Sequence, residues 1–387
     1  SPLYGRLSDL GAVFGEKSGW ERANWMAGNE GAGNEHLRPR GWAGREWSPA
    51  IGAEHEACRE RAALFDQTSF AKLDVSGPGA LAALGRICAN RIDRPPGRVV
   101  YTQLLNDRGG IEADLTVTRL SEDRFRIVTG TASLRHDLAW IEAHAPKDGS
   151  VQVADVTSQF ACVCLWGPRA RDILAPLTEA DVSNGSFPYL TALQLNVGPV
   201  PCLAVRVTFV GELGWELYCP AEYGGRLWDL LWRAGRPHGL AAGGYRAIES
   251  LRLEKGYRVW GSDITSVDTP FEARLGFAVA MGKDDFIGKA ALGSARPPAR
   301  LLTCLALDDP SSVVLGEEPV RVGGRLEGRV TSGGYGYSVG RSIAYAYLPA
   351  GHTCTGQHVE VNLFGRWVGG EVVAEPLYDP ANERVRG

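Results

Sequence analysis

No run in this chain reaches the roughly 18 apolar residues that a membrane span needs, and no charged-then-apolar leader opens it. No membrane role is therefore expected. A basic block is missing as well. The 41 basic and 45 acidic residues are spread along the chain for a net charge of -4, which argues against nucleic acid as the main partner and for a small or modestly sized ligand. The chain opens on Ser1 rather than methionine, so the expectation is a processed chain or a piece of a longer one.

Metal and nucleotide signatures are absent too. The eight cysteines, at 58, 88, 162, 164, 202, 219, 304 and 354, form no CxxC pair and have no His-rich spacing beside them, which excludes a zinc framework. Each lies in or near an apolar run, where a free thiol behaves as a small hydrophobe, and a reducing compartment is expected: cytoplasm, or the mitochondrial matrix in a eukaryote. Neither HExxH nor GxSxG occurs, and the seven histidines form no ligand-like cluster, although His352 and His358 are six apart. No metal site is expected. "GGIEAD" and "GGYRAIE" lack the glycine spacing and the strand-to-helix context of a Rossmann or phosphate loop, so no flavin or nicotinamide should be bound by this chain itself.

What is present is ordinary globular composition, 44% hydrophobic and 22% charged, over 387 residues. That length exceeds one hydrophobic core and implies two or three domains. "FAKLDVSGPGALAALGRI" from Phe70 reappears as "FACVCLWGPRARDILAPL" from Phe160, an offset of 90, with Phe, Ala, Gly, Pro, Ala and Leu in register. In both copies a strand reaches Gly-Pro, and the proline is expected to start a helix. The same offset pairs "FRIVTGTASLRHDLAWIEA" with "WELYCPAEYGGRLWDLLWR", again strand then amphipathic helix. One unit has been used twice, near 70–145 and 160–236. Each copy buries one face of an antiparallel sheet under two helices, an α+β layer arrangement, and two copies meeting across an interface make a common kind of ligand site. The Pro-rich "SARPPAR" (294–300) closes this region, 49–293. Beyond it, alternating runs separated by Gly and Pro turns suggest a small β-barrel or sandwich over 300–387. Residues 1–48 carry a Gly/Asn-rich loop with Trp42 and Trp47 and read as a wrapping arm.

Polar residues stand at unusual places within this frame. In "NDRGGIEADLTV" the apolar Ile111, Ala113, Leu115 and Val117 share one strand face, while Glu112, Asp114 and Thr116 share the other. Asp114 is a solvated strand residue or something more. Tyr101, on the preceding strand across the "NDRGG" turn, is placed to present a phenol to the same volume. "FVGELGWELYCP" puts Glu212 in a Gly-flanked turn and Glu216 in the strand after it, where strand-edge and ion-pair roles are the ordinary readings. Along the helix "YRAIESLRLEKG", Arg246 and Glu249 form an i,i+3 pair that would normally be surface charge.

These stretches also carry a resemblance. "SPLYGRLSDLGAVFGEKSGWERANW" resembles the opening of the folate half of dimethylglycine and sarcosine dehydrogenases. "ERAALFDQTSFAKLDVSGPGA", "VVYTQLLNDRGGIEADLTV", "FVGELGWELYCP", "YRAIESLRLEKGYRVWGSDI", "DDFIGKAAL" and "VTSGGYGYSVGRSIAYAYL" follow in order and resemble the wider aminomethyltransferase family, which includes the glycine-cleavage T-protein. The resemblance spans nearly the whole chain. It implies two related strand-helix sandwich (ferredoxin-like) domains and a C-terminal antiparallel β-barrel around a central opening, with tetrahydrofolate as ligand. By motif, Asp114 is placed near the folate nitrogens and Tyr101 lines the same pocket, while Glu216 and Arg246 are associated with the pterin end. Phe209 stands where flavin-linked relatives have tyrosine, so a phenolic hydrogen bond is lost there.

The function so implied is a tetrahydrofolate-dependent one-carbon transferase. It would take a methylene group from a small N-methyl amine, after oxidation to the iminium by a flavoprotein half or subunit. Asp114 would accept the amine proton or orient the amine as it captures the iminium carbon. Two alternatives stand beside it: a folate-dependent demethylase of an O-, N- or S-methyl donor, and a non-catalytic folate-binding module of a flavoprotein.

Overall fold

The structure, a computed structural model, describes residues 1–29, 34–294 and 297–387. Part of the Gly/Asn-rich loop (30–33) and of the Pro-rich junction (295–296) lies outside the described residues. Two antiparallel sheets carry the duplicated unit. In the first, the order is Val99–Leu105, Ile111–Arg119, Arg124–Thr129, Ala71–Ser76, Gln152–Asp155. In the second it is Ala192–Val197, Val200–Val205, Gly214–Pro220, Phe160–Trp166, extended by Ala63–Asp66 and, in parallel, by Ala241–Gly243. The four repeated strands are thus laid down in the same order, second, third, fourth, first, in both sheets.

Alternation decides which face each sheet buries. Leu73, Val75, Leu104, Ala113, Leu115, Phe125 and Ile127 point from the first sheet into one core with residues of Ala80–Ile87 and Leu134–His144. Val163, Leu165, Ala204 and Leu217 do the same in the second sheet, against Ala170–Leu174 and Gly224–Gly235. The opposite faces turn inward. Val99 and Val128 from the first sheet share a cluster with Cys162, Cys164, Leu203, Val205 and Tyr218 from the second, closed by Ala247, Ile248 and Leu251 of helix Tyr245–Glu254. A cavity or ligand between the two repeats would therefore meet side chains that the helices do not use.

The repeated Gly-Pro turn departs from expectation in one respect. The helices start at Ala80 and Ala170, two residues past the proline, because the Ala80 and Ala170 amides first close a turn onto the Gly77 and Gly167 carbonyls at 2.9 and 3.0 Å. Both glycines have positive φ, 116° and 132°, and a Cβ would meet the Ser150 carbonyl oxygen at 2.3 Å or Ala62 Cα at 2.6 Å. Only glycine fits either turn.

Six strands from Arg300–Leu307 to Arg366–Val372 close into an antiparallel barrel around Leu305, Val320, Val330, Ala344, Ala346, Val359 and Val361. Closure leaves no edge open to another chain. A short helix, Glu383–Arg386, follows; the alternating pattern gave no sign of it. Seven cysteines are buried as small hydrophobes, whereas Cys354 is exposed, its stretch being a turn outside the barrel wall. Among the described residues no helix is long and apolar enough to cross a membrane.

The pieces are tied together at Arg59, near the end of helix Pro49–Glu60. Its guanidinium, 4% exposed, donates to Glu212 at 2.9 Å and to Glu254 at 3.0 Å, and also to the Val210 and Leu251 carbonyls. The Tyr378 ring lies 4.0 Å away. Glu212 takes a second arginine, Arg384, from the terminal helix. The turn glutamate of "GELGW" is thus an element of a buried ion network.

Candidate functional site

The hairpin that presents Asp114 is set by Asn106, whose side-chain oxygen accepts from the Arg108 and Gly110 amides, both at 3.0 Å, while Gly109 takes the positive φ of 82° that the turn requires. In the resulting register Gln103 lies opposite Asp114, and Tyr101 lies opposite Thr116. All four side chains share the inward face. Asp114 accepts from Gln103 Nε2 at 2.9 Å, and the Tyr101 phenol acts on it from the next position along that face. Burial pushes its carboxyl up to about 6, while Tyr101 and Gln103 oppose that rise and the Asp137 charge adds to it. Burial also drives the Tyr101 phenol well above its usual range, so it stays a donor.

Phe277 carries no signature in the sequence, yet its ring stacks against Tyr101 with centroids 6.0 Å apart. It is 77% exposed. An exposed aromatic leaning over a buried phenol leaves a flat face available to a ring-shaped ligand. The only sequence signal is an aromatic residue in a Gly/Ala-flanked turn.

Register carries the site across the first sheet. Tyr101, Thr116, Val128 and Lys72 are partners on four adjacent strands, a row of about 14 Å at ~4.8 Å per strand. Lys72, buried at its end, donates to the Thr68 and Phe70 carbonyls at 2.8 and 2.7 Å, and burial lowers it to about 8. Facing it from the second sheet is Glu216. This carboxylate is on an inner strand, between Val205 and Cys164 in register, which removes the strand-edge reading. Among the described residues it has no ion pair. Its partner is the Tyr218 hydroxyl, and burial pushes it up to about 7 against the Tyr218 bond and the Lys72 charge.

Phe209 precedes that strand and packs on the inter-sheet cluster, its ring 5.9 Å from that of Tyr257. Arg246 behaves differently from expectation. In the first turn of its helix it pairs with Glu46 at 3.0 Å, while Glu249 pairs with Arg252. The i,i+3 pair is not made because Glu249 is taken from the other side, and no bond to Glu216 is formed. Among the described residues Arg246 Nε is buried without a partner. The structure therefore brings Tyr101 to Asp114 and Lys72 to Glu216, and turns one edge of Arg246 toward the N-terminal segment.

A separate cavity of about 470 Å³ lies between the barrel and residues 261–268, lined by Thr265, Asp268, Arg300, Thr331 and Tyr347 among others. It holds none of the residues just described, and its Asp268–Arg300 pair is already closed at 2.7 Å. Among the described residues no cluster of three or more His, Cys, Asp or Glu is arranged to hold a metal. The chemistry available on the inward faces is that of two desolvated carboxylates with neutral hydrogen-bond donors: proton transfer near neutral pH at Asp114, and recognition of an N–H edge at Glu216.

Comparison with known proteins accords with this layout. Residues 3–283 match the GCVT N-terminal domain and residues 300–379 the glycine cleavage T-protein C-terminal barrel domain. The chain is 38% identical over 390 residues to a 4-methylaminobutanoate oxidase (formaldehyde-forming) of Paenarthrobacter nicotinovorans, covering 100% of this chain and 47% of that protein. It is 34% identical over 392 residues to the mitochondrial dimethylglycine dehydrogenase of Homo sapiens, covering 100% of this chain and 45% of that protein. It spans about half the length of these relatives. The crystal structure of glycine cleavage system aminomethyltransferase T from Bartonella henselae superposes with a TM-score of 0.84 at 27% identity, over 98% of each chain. Two matched domains, a shared fold and similarity along the whole of this chain make it a member of the glycine-cleavage T-protein family of aminomethyltransferases.

Proposed function

We propose that the chain is a tetrahydrofolate-dependent transferase that moves a methylene group from a small N-methyl amine. The observation that carries this reading is the pair of desolvated carboxylates on the inward faces of the two repeats, Asp114 and Glu216, neither closed in an ion pair among the described residues. Reduced folate suits the residues present. Glu216 is an acceptor for the amide-like N–H edge of a pterin, the exposed Phe277 face suits its aryl portion, and the orphaned Gln103 Oε1 and Arg246 Nε are a further acceptor and donor. Bound folate supplies a nucleophilic amine.

While ionised, Asp114 stabilises a cationic carbon nearby; it then accepts the proton that the attacking amine gives up and returns it to the donor amine as that leaves. Gln103 holds the carboxylate, and Tyr101 favours its charged form. The methylene oxidation level requires removal of two electrons from an N-methyl group, a step assigned to a flavoprotein half or subunit. The relatives named for dimethylglycine and 4-methylaminobutanoate, both N-methyl amines, support that substrate class.

Tetrahydrofolate is expected to bind with a Kd of roughly micromolar order and to raise the melting temperature through mass action. Thermal melting with and without the ligand is the test, and no shift at millimolar folate overturns the reading. Glu216→Gln keeps the shape but removes a charge-assisted acceptor. Its folate affinity, measured by calorimetry, should fall by about 1.5–3 kcal/mol; an unchanged Kd would leave Glu216 a bonding partner of Tyr218 only.

A further inference from the structure

Gln103 is fully buried on the strand beside Asp114 and directly opposite it in register. Its Nε2 donates to Asp114 Oδ1 at 2.9 Å, and its Oε1 has no partner among the described residues. With Asp114 ionised, only the N–H edge of the amide can face it, which turns the carbonyl away from the carboxylate. A residue serving packing alone would be better as leucine or methionine, since a bare buried carbonyl is costly. Such atoms are kept in folded proteins where a ligand or water completes them.

Resting on the folate chemistry assigned above to Asp114, we propose that Gln103 is the positioning residue of that carboxylate: its N–H edge holds one carboxylate oxygen in place, and its free carbonyl accepts an N–H of the bound ligand. Two residues past Tyr101, Gln103 shares its strand face by alternation, but the sequence does not say which residue it meets. The hairpin register sets it opposite the aspartate.

The remaining groups facing Asp114 are few. Tyr101 favours its ionised form from the same strand as Gln103, and Arg258 acts electrostatically on Tyr101. Asp137, on the helix beyond the sheet, raises Asp114 by its charge and is itself held by Thr129 and His136, the latter also pairing with Glu112. A hydrogen bond given to the charged form of a carboxyl favours that form, so removing the Gln103 donor moves Asp114 upward from about 6.

Gln103→Met keeps the volume and deletes both amide functions. For folate-dependent turnover, the acid limb of the pH–rate profile should move up by about one to two pH units, the equivalent of one hydrogen bond to a charged group. The ratio of wild-type to variant rate should accordingly grow about five- to twenty-five-fold between pH 8 and pH 6. A loss by the same factor at every pH is the signature of a structural role and overturns the proposal. The second measurement needs no folate. Difference infrared titration of the ligand-free protein, with the Asp114 carboxyl band assigned by subtracting Asp114→Asn, should show the same upward movement in Gln103→Met, or in Gln103→Leu if the methionine variant does not fold. An unmoved band overturns the proposal. If wild-type protein shows no folate-dependent turnover, the folate reading fails, and the infrared titration still decides the Gln103–Asp114 coupling.

Discussion

Asp114→Asn is expected to lower the enzyme-dependent rate of methylene transfer by about a hundredfold or more, the usual cost of losing a general base, while folding and folate binding survive. Asparagine has the same volume, and its side-chain oxygen can still accept from Gln103 Nε2 as Asp114 does at 2.9 Å; what disappears is the site that takes a proton. The measurement is formation of methylenetetrahydrofolate from tetrahydrofolate and an iminium source, either formaldehyde with an amine or a supplied flavoprotein half, corrected for the spontaneous reaction. The pH dependence follows from the carboxyl at about 6. A base works when deprotonated, so wild-type turnover should be present above that pH and lost as pH falls through it. The asparagine variant should lack that limb. Wild-type-like turnover in the variant would remove Asp114 from the chemistry and return it to the role of a polar strand residue.

The second large effect is on stability. Arg59→Met should cost about 3–5 kcal/mol, because deleting one partner of a buried ion network leaves charge without compensation. Glu212 would retain Arg384, and Glu254 would retain His55 at 3.5 Å and the Ser338 amide at 2.8 Å, but both would lose their shared cation. The network joins helix Pro49–Glu60, the 210–213 turn, helix Tyr245–Glu254 and the terminal helix, so its loss should be felt globally and not as local fraying. Urea unfolding followed by far-UV circular dichroism measures it. A change under about 1 kcal/mol would mean that the surrounding carboxylates are relieved by protonation or by water, and that the network does not hold the parts together.

Alternation and self-similarity make the scaffold legible in the sequence. The offset of 90 between Phe70 and Phe160 announces two equivalent sheets, and the period of two along 111–117 separates the core face from the Asp114 face. Contacts made by register and by distant packing were not legible. The hairpin carries a register shift between Leu104 and Leu105, which sets Gln103 opposite Asp114 and leaves Tyr101 on the diagonal. No local pattern encodes such a bulge. Arg246 finds Glu46, 200 positions earlier, in preference to the glutamate one helical turn away. Lys72, an alternating strand residue by its sequence, becomes a buried cation facing Glu216 only because two sheets close on one another. Phe277 acquires its place over Tyr101 from a turn that folds back against the first sheet.

The two repeats are alike in strand order and unlike in what they leave open. Arg126 and Asp74 are register partners in the first sheet, and Glu216 and Cys164 occupy the corresponding places in the second. In the first copy that position is self-satisfied, with the Arg126 guanidinium bonded to Asp74 and lying 4.3 Å from the Phe160 ring. In the second it is occupied by a carboxylate beside a thiol, and among the described residues no ion pair closes it. Duplication thus doubled the scaffold but not the recognition site: one descendant spent its polar pair on internal cohesion and the other kept its valence for a guest. On the folate reading this asymmetry makes a pseudo-symmetric molecule bind in one orientation only, because the half that would receive the pterin edge the other way round is already occupied by its own salt bridge.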